Sequence, residues 1–326
     1  MELSELRRTK VHRLVCYMEK RRSCKIRLFA KFFGSLSACC PAIPYGWAYT
    51  KQFERDKFLA LRRNGENYDA VMALPHRPQV YKWWKEQLLS ARFFFAPPSY
   101  SMEIFSDASL SGWGAVSAGH RVHGFWSQSE KDWHINQLEL FAAWLALRSF
   151  AADLRSCHIL LRLDNTTAIA YINRMGGTQF PRLNKLSRQL WRWCEDRQLV
   201  VFASYVSSTD NWEADAESRL LEPETEFQLS SEAFDKIVHR FGSPAIDLFA
   251  SRSNTKCRRF CSWKRDPGAE VVDTFTISWS NLQFYAFPPF SVILRLLQKI
   301  KSDGAEGIVV IPLLSLIHIS EPTRPY

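Results

Sequence analysis

The sequence predicts an α/β chain in three parts: a helical stretch over residues 1–100, a middle part over 101–225, and a shorter α/β part over 226–313. Three observations carry this prediction. In the middle part, short apolar runs alternate with stretches of helical apolar spacing. Pro97-Pro98 cannot continue a helix and sets the first part off from the second. After Glu226 the alternation of helix and strand starts again. A length of 326 residues allows two to three domains, and 46 % hydrophobic with 14 % aromatic residues marks a chain that folds.

The elements read in order as follows. The first part is mostly helical, with loops at Cys39-Cys40-Pro41-Ala42-Ile43-Pro44 and around Asn64-Gly65, and with Trp83-Trp84 in a short helix. In the middle part, 102–106 reads as a strand. Residues 112–118 and 121–126 read as two more, joined by a tight turn at Gly119-His120. Residues 136–152 form a helix, with Leu138, Phe141, Ala142 and Leu145 on one face. A strand at 158–163, a short helix at 166–173 stopped by Gly176-Gly177, a helix at 182–197, a strand at 199–206 and a helix at 211–218 complete the order βββαβααβα. The last part reads as a helix at 231–241, strands at 245–249, 284–287 and 307–312, and a helix at 291–301, with a loop-rich stretch between the first two strands.

Net charge is +10 and unevenly spread. Residues 1–100 hold 19 Lys and Arg against 8 Asp and Glu, whereas residues 101–225 hold 12 against 15. The basic first part is either a track for a polyanion or a solvated helical surface. The mildly acidic middle fits a site that gathers cations. Eight cysteines are scattered without a pairing rhythm, and Cys257 and Cys261 have no second pair nearby to complete a zinc site. Reduced thiols point to an intracellular compartment, cytoplasmic or nuclear. No apolar run reaches the ~18 residues of a membrane span, and residues 1–10 carry no signal-peptide pattern.

Four acids stand at special places: Asp107 at the end of the first middle strand, Glu139 early in the first helix, Asp164 at the end of the fourth strand, and Asp215 in the last helix. The first and fourth strands are neighbours in a sheet of this order, so Asp107 and Asp164 end side by side, with the Glu139 helix packed across them. Each acid alone reads as a surface residue. Acids brought together from separate elements repel one another, and a bound cation removes that cost. Magnesium takes such carboxylates together with water and phosphate oxygens. Two ions about 4 Å apart can serve both sides of a phosphodiester.

The residues around these acids carry a resemblance. The segments Phe105-Ser106-Asp107-Ala108-Ser109, Gly112-Trp113-Gly114-Ala115, His134-Ile135-Asn136-Gln137-Leu138-Glu139-Leu140, Leu163-Asp164-Asn165-Thr166-Thr167-Ala168 and Asn211-Trp212-Glu213-Ala214-Asp215-Ala216-Glu217-Ser218-Arg219 resemble, in this order over about 120 residues, the RNase H domain of reverse-transcribing elements, with details closest to DIRS-type retrotransposons. The resemblance implies a mixed five-stranded sheet flanked by helices. It implies Asp107, Glu139, Asp164 and Asp215 as catalytic ligands of two Mg2+ ions, with Mn2+ as a substitute. It implies hydrolysis of the RNA strand of an RNA–DNA hybrid. Many members carry a histidine in the loop before the last helix; here that loop is Ser207-Ser208-Thr209-Asp210.

For nucleic-acid contact, Asn165 either meets a 2′-hydroxyl or caps the helix that follows. Arg174, Arg182, Lys185, Arg188 and Arg192 either grip hybrid phosphates or solvate a helix face. Trp191 and Trp193 read as packing residues.

The first part resembles the thumb-to-connection region that precedes RNase H in the same retroelements, through Arg55-Asp56-Lys57 and Trp83-Trp84. No Asp-Asp pair of a polymerase palm occurs in the sequence. The last part resembles DNA N6-adenine methyltransferase-like segments, through Asp247-Leu248-Phe249-Ala250, Trp279, Ala286-Phe287-Pro288-Pro289-Phe290 and Ile308-Val309-Val310-Ile311-Pro312. Members carry Asn or Asp before the Pro-Pro; Phe287 here offers no acceptor, so a degenerate segment is expected. Leu314 to Pro325 resembles a translated sequencing adapter and is left out of the fold prediction. The expectation is a fragment of a larger polyprotein, with the remainder of that polyprotein and an RNA–DNA hybrid as partners. It is either an active hybrid nuclease or a non-catalytic nucleic-acid-binding remnant.

Overall fold

The computed structural model describes residues 3–90, 99–220 and 228–311. Pro97-Pro98, the restart at Glu226, the end of the last predicted strand at Pro312 and the adapter-like tail lie outside the described residues.

The first part consists of α1 (Glu5–Glu19), β1 (Ser23–Lys25), α2 (Ile26–Ser37), α3 (Gly46–Arg63), β2 (Val71–Ala73) and α4 (Pro78–Ser90). It is helical as predicted, with one addition: β1 and β2 pair antiparallel. Three-residue strands are too short to show an alternation in sequence. Phe29, Phe32, Phe53, Tyr81 and Trp84 fill its own core. Phe53 meets the edges of Phe29 and Phe32 at centroid distances of 6.0 and 5.2 Å, a favoured aromatic geometry.

The middle part runs β3 (Tyr100–Ala108), β4 (Gly112–Ser117), β5 (His120–Phe125), α5 (Ile135–Phe150), β6 (His158–Leu163), α6 (Thr166–Asn173), α7 (Pro181–Glu195), β7 (Val200–Tyr205) and α8 (Trp212–Ser218). Its sheet order is β5-β4-β3-β6-β7. The hairpins β3-β4-β5 are antiparallel, and β3, β6 and β7 run parallel. This is a mixed five-stranded sheet flanked by helices, the α/β architecture that the sequence leads one to expect. The hairpin turn lies one residue earlier than predicted, at Ala118-Gly119, because both residues take positive φ (48° and 77°). That is the backbone of a type I′ turn, whose twist matches the flanking strands.

Strand β4 is buried at all six positions, so both sheet faces are covered. Trp113 and Ala115 face the main core with Leu138, Ala142 and Leu145 of α5. Gly112 and Gly114 point to the other face, where α8 lies on the backbone. A Cβ on Gly114 would meet the Ala214 carbonyl oxygen and the Ser218 amide nitrogen at 2.5 Å each. The sequence Gly-Trp-Gly is therefore a packing requirement: no side chain fits under the helix that carries Asp215. Gly114→Ala is expected to push α8 off the sheet and to cost about 1–3 kcal/mol. Amide exchange should show α8 opening first, with a lowered thermal midpoint. Unchanged α8 protection would contradict this packing.

The last part contains α9 (Ser231–Phe241), β8 (Ile246–Asp247), β9 (Arg259–Ser262), β10 (Val271–Val272), β11 (Phe284–Ala286), α10 (Ile293–Asp303) and β12 (Gly307–Val309). The strands form a sheet of order β10-β9-β8-β11-β12, parallel throughout. Two of them, β9 and β10, fall in the stretch read as loop-rich; strands of four and two residues leave no period to read. The last helix starts at Ile293 rather than at residue 291, because Phe290–Val292 forms a 3-10 turn after Pro288-Pro289. Trp279, Phe284 and Leu296 anchor this third core.

Both flanking parts are attached to the middle one by polar contacts. From the first part, Tyr49 and Trp83 stack at 3.8 Å and donate to the Glu195 carboxylate at 2.5 and 2.6 Å. Arg55 donates to the Thr178 and Gln179 carbonyls. Arg55 and Trp83 thus hold α7 and the loop before it. From the last part, Arg252 reaches Glu130 at 2.8 and 3.0 Å and the Phe125 carbonyl at 3.0 Å. Lys264 Nζ lies 3.0 Å from His123 Nε2.

Candidate metal centre

Asp107 is the penultimate residue of β3, which is hydrogen-bonded to both β4 and β6. It is 5 % exposed. Asp164 follows the last residue of the neighbouring β6. Glu139 is the fifth residue of α5 and 7 % exposed. One carboxylate oxygen from each of Asp107, Glu139 and Asp164 lies within 4.8 Å of the others. This is the only such cluster of acidic, His or Cys ligands among the described residues.

The electrostatics follow from this closeness. Burial pushes the Glu139 carboxyl up to about 9, and the charges of Asp107, Asp164 and Asp215 add to the rise. Asp107 is raised too, by burial first and by Asp164 and Asp215; the Ser218 hydroxyl, donating to Asp107 Oδ2 at 2.7 Å, counteracts. Like charges held out of water resist ionisation, and a divalent cation reverses that balance. Three hard oxygen donors converging on one point suit Mg2+ or Mn2+ better than a softer metal. The donor set therefore fits a divalent ion held by Asp107, Glu139 and Asp164.

The fourth predicted acid stands apart. Asp215, in α8, is ion-paired through Oδ1 to Arg219 at 2.7 Å and is not one of the three clustered acids. Its charge still reaches Asp107 and Glu139, raising both.

The candidate nucleic-acid residues divide in the same way. Asn165 caps α6: its Oδ1 accepts from the Ala168 amide at 2.9 Å, and its Nδ2 donates to Asn136 Oδ1 at 3.0 Å. That second bond ties the start of α5 to the loop that holds Asp164. Arg174, Arg182, Lys185 and Arg192 are exposed. Arg188 is half-buried, and its burial and the Arg192 and Arg77 charges lower its affinity for a proton. Trp191 is buried and donates to the Ile172 carbonyl at 3.0 Å, while Trp193 packs under Arg197 at 4.3 Å.

Sequence reasoning missed the hydroxyls around the acids. Ser208, in the loop before α8, donates to Asp164 Oδ2 at 2.8 Å. Ser218 is fully buried against Asp107. The signal for Ser218 was its place three residues after Asp215, one helical turn on and facing the same side.

No family profile matches the chain. The "Enzymatic polyprotein" of Cauliflower mosaic virus (strain D/H) is 25 % identical in an alignment 203 residues long that covers 52 % of this chain. The chain spans 29 % of that polyprotein's length. Among solved structures, RNase H1 from the archaeon Halobacterium salinarum NRC-1 is 20 % identical, covers 36 % of this chain and 92 % of its own, and gives a TM-score of 0.30. LC11-RNase H1 in complex with an RNA/DNA hybrid is 16 % identical over 36 % of this chain and 93 % of its own, with a TM-score of 0.31. The foamy viral protease-reverse transcriptase in complex with an RNA/DNA hybrid is 9 % identical over 70 % of this chain and 30 % of its own, with a TM-score of 0.26.

Proposed function

We propose that the chain is part of a retroelement polyprotein, of the DIRS type, and that its middle part hydrolyses the RNA strand of RNA–DNA hybrids with divalent metal. The observation that carries this is the convergence of Asp107, Glu139 and Asp164 to within 4.8 Å at the ends of two neighbouring strands and one helix. The similarity to a viral enzymatic polyprotein supports the polyprotein setting. In this reading Asp107, Glu139 and Asp164 would hold the divalent metal, with Asp215 as a further ligand. The metal, when bound, lowers the cost of forming a hydroxide from water and of charge on the leaving oxygen. The chain's own part is to fix these oxygens. Ser218 and Ser208 each occupy one carboxylate oxygen, of Asp107 and Asp164, and so orient the other. The Asn136–Asn165 bond sets the spacing between the two elements.

The basic first part and the exposed face of α7 are proposed to supply the backbone grip. Charge should dominate this binding, because a hybrid is recognised mostly by shape and phosphates. Neutralising Arg182 and Lys185 together (Arg182→Gln with Lys185→Gln) is expected to weaken hybrid binding and to lower the slope of log affinity against log salt by about 0.7–0.9 per lost contact. The single-turnover rate at saturating protein should stay unchanged. An unaltered salt slope would return these side chains to the solvated surface.

The test of the function is strand-resolved cleavage by the full chain, with hybrid, DNA duplex and RNA duplex compared. Cutting confined to the RNA of the hybrid, leaving 5′-phosphate and 3′-hydroxyl ends, is the expected result. Salt-sensitive hybrid binding without cutting would identify a nucleic-acid-binding remnant. The Arg219-held state of Asp215 is the observation that favours that second reading.

A further inference from the structure

The last turn of α8 acts on the acid site from two sides. Ser218 points inward to Asp107. Arg219 points outward, and both of its contacts fall on the same oxygen: Nε at 2.8 Å and Nη2 at 2.7 Å from Asp215 Oδ1. Asp215 Oδ2 has no hydrogen-bond partner among the described residues. The pair sits at the edge of the site, with the Arg219 side chain 67 % and the Asp215 side chain 37 % exposed. Asp107, Glu139 and Asp164 cluster without Asp215. Asp215 is nonetheless near enough for its charge to be felt by Asp107 and Glu139, and Arg219 offsets it at Asp107.

We propose that Arg219 is a positioning residue that holds the Asp215 carboxylate away from the metal centre until a nucleic-acid phosphate takes up its guanidinium and leaves Asp215 to the metal. The exchange is chemically matched, since a guanidinium forms equivalent charge-assisted pairs with carboxylate and with phosphate. The exposed side chain has rotational freedom to make the exchange, and an exposed i,i+4 ion pair is weak enough to be given up. Completion of the ligand set then depends on substrate. Nucleic acid strengthens metal binding, and by reciprocity metal strengthens nucleic-acid binding. This inference rests on the hybrid-nuclease reading for the identity of the polyanion, but its first consequence concerns the free protein.

The test is calorimetric titration of the full chain with Mn2+ in the absence of nucleic acid. Arg219→Ala is expected to tighten Mn2+ binding roughly threefold to tenfold, because it removes the partner that competes for Asp215. Arg219→Lys, which keeps the charge without the two-nitrogen contact, should fall between it and the parent. In an Asp215→Asn background the gain should vanish. A hybrid of DNA with 2′-O-methyl RNA, which cannot be cut, should tighten Mn2+ binding to the parent chain and do so less in Arg219→Ala. Weaker or unchanged Mn2+ binding in Arg219→Ala, with the near-ultraviolet dichroism of the parent, overturns the proposal and makes Arg219 a plain support of Asp215. A gain that persists with Asp215→Asn also overturns it, as general charge relief. Failure of the parent chain to cut any hybrid would strike the nuclease reading and leave the Mn2+ comparison in force.

Discussion

Asp107→Asn is expected to lower hybrid cleavage by roughly 10³-fold or more, about 4 kcal/mol of barrier, while leaving the fold as stable as before. The loss follows from the place of Asp107 in the acid cluster: neutralising it removes one of the three carboxylate charges that the proposed metal centre depends on. The retained stability follows from the same geometry. Asp107 is 5 % exposed and already pushed toward its neutral form by burial and by two acidic neighbours. Asparagine is the same size, keeps an oxygen to accept from Ser218, and takes a like charge out of the cluster. In the presence of chelator its thermal midpoint should equal or exceed that of the parent. A fall of several degrees together with the loss of activity would mean that Asp107 serves the fold rather than the chemistry.

Glu130→Ala is expected to be the most destabilising of these substitutions, at about 3 kcal/mol, and to loosen the last part of the chain from the middle one. Glu130 and Arg252 are 10 % and 16 % exposed as side chains, and their contacts join the two parts. Burial alone would raise the Glu130 carboxyl, but the Arg252 guanidinium and the Ser127 amide outweigh it and hold it below its ordinary range. The contribution of the pair is therefore complete above the usual carboxylate titration and is lost as pH falls below it. Removing the acid leaves a mostly buried guanidinium against the Phe141 ring, 5.3 Å from its centroid, without the carboxylate that pairs with it. Differential scanning at neutral pH should show a lower and broader transition, since three cores need not melt together. An unchanged transition would place the attachment of the last part elsewhere.

Much of the middle part was legible because its signals are local and periodic. The short helix at Thr166–Asn173 and the strand at His158–Leu163 are found with the bounds that the sequence predicts. The packing role of Gly112 and Gly114 was not read from the sequence; it emerges only with α8 in place. The convergence of Asp107, Glu139 and Asp164 was legible through strand order, since adjacent parallel strands bring their ends together. What was not legible depends on side-chain choice. Asp215 and Arg219 lie four apart on one helix, a spacing that permits an ion pair without requiring one. Nor does sequence say that Ser208 turns toward Asp164, because a four-residue loop has no period to orient it. The short strands β9 and β10 escaped for the same reason, being defined by pairing with β8 and with each other.

The central claim is that the three clustered acids form a metal centre that cuts RNA in a hybrid. It is tested most directly by the magnesium dependence of cleavage by the full chain on a hybrid labelled on both strands. The account expects the RNA strand to be cut, the DNA strand to stay intact, the reaction to stop in chelator, and Asp107→Asn to be inert on the same gel. An RNA strand that stays whole at every magnesium concentration, or one that is cut equally well in chelator, would contradict it.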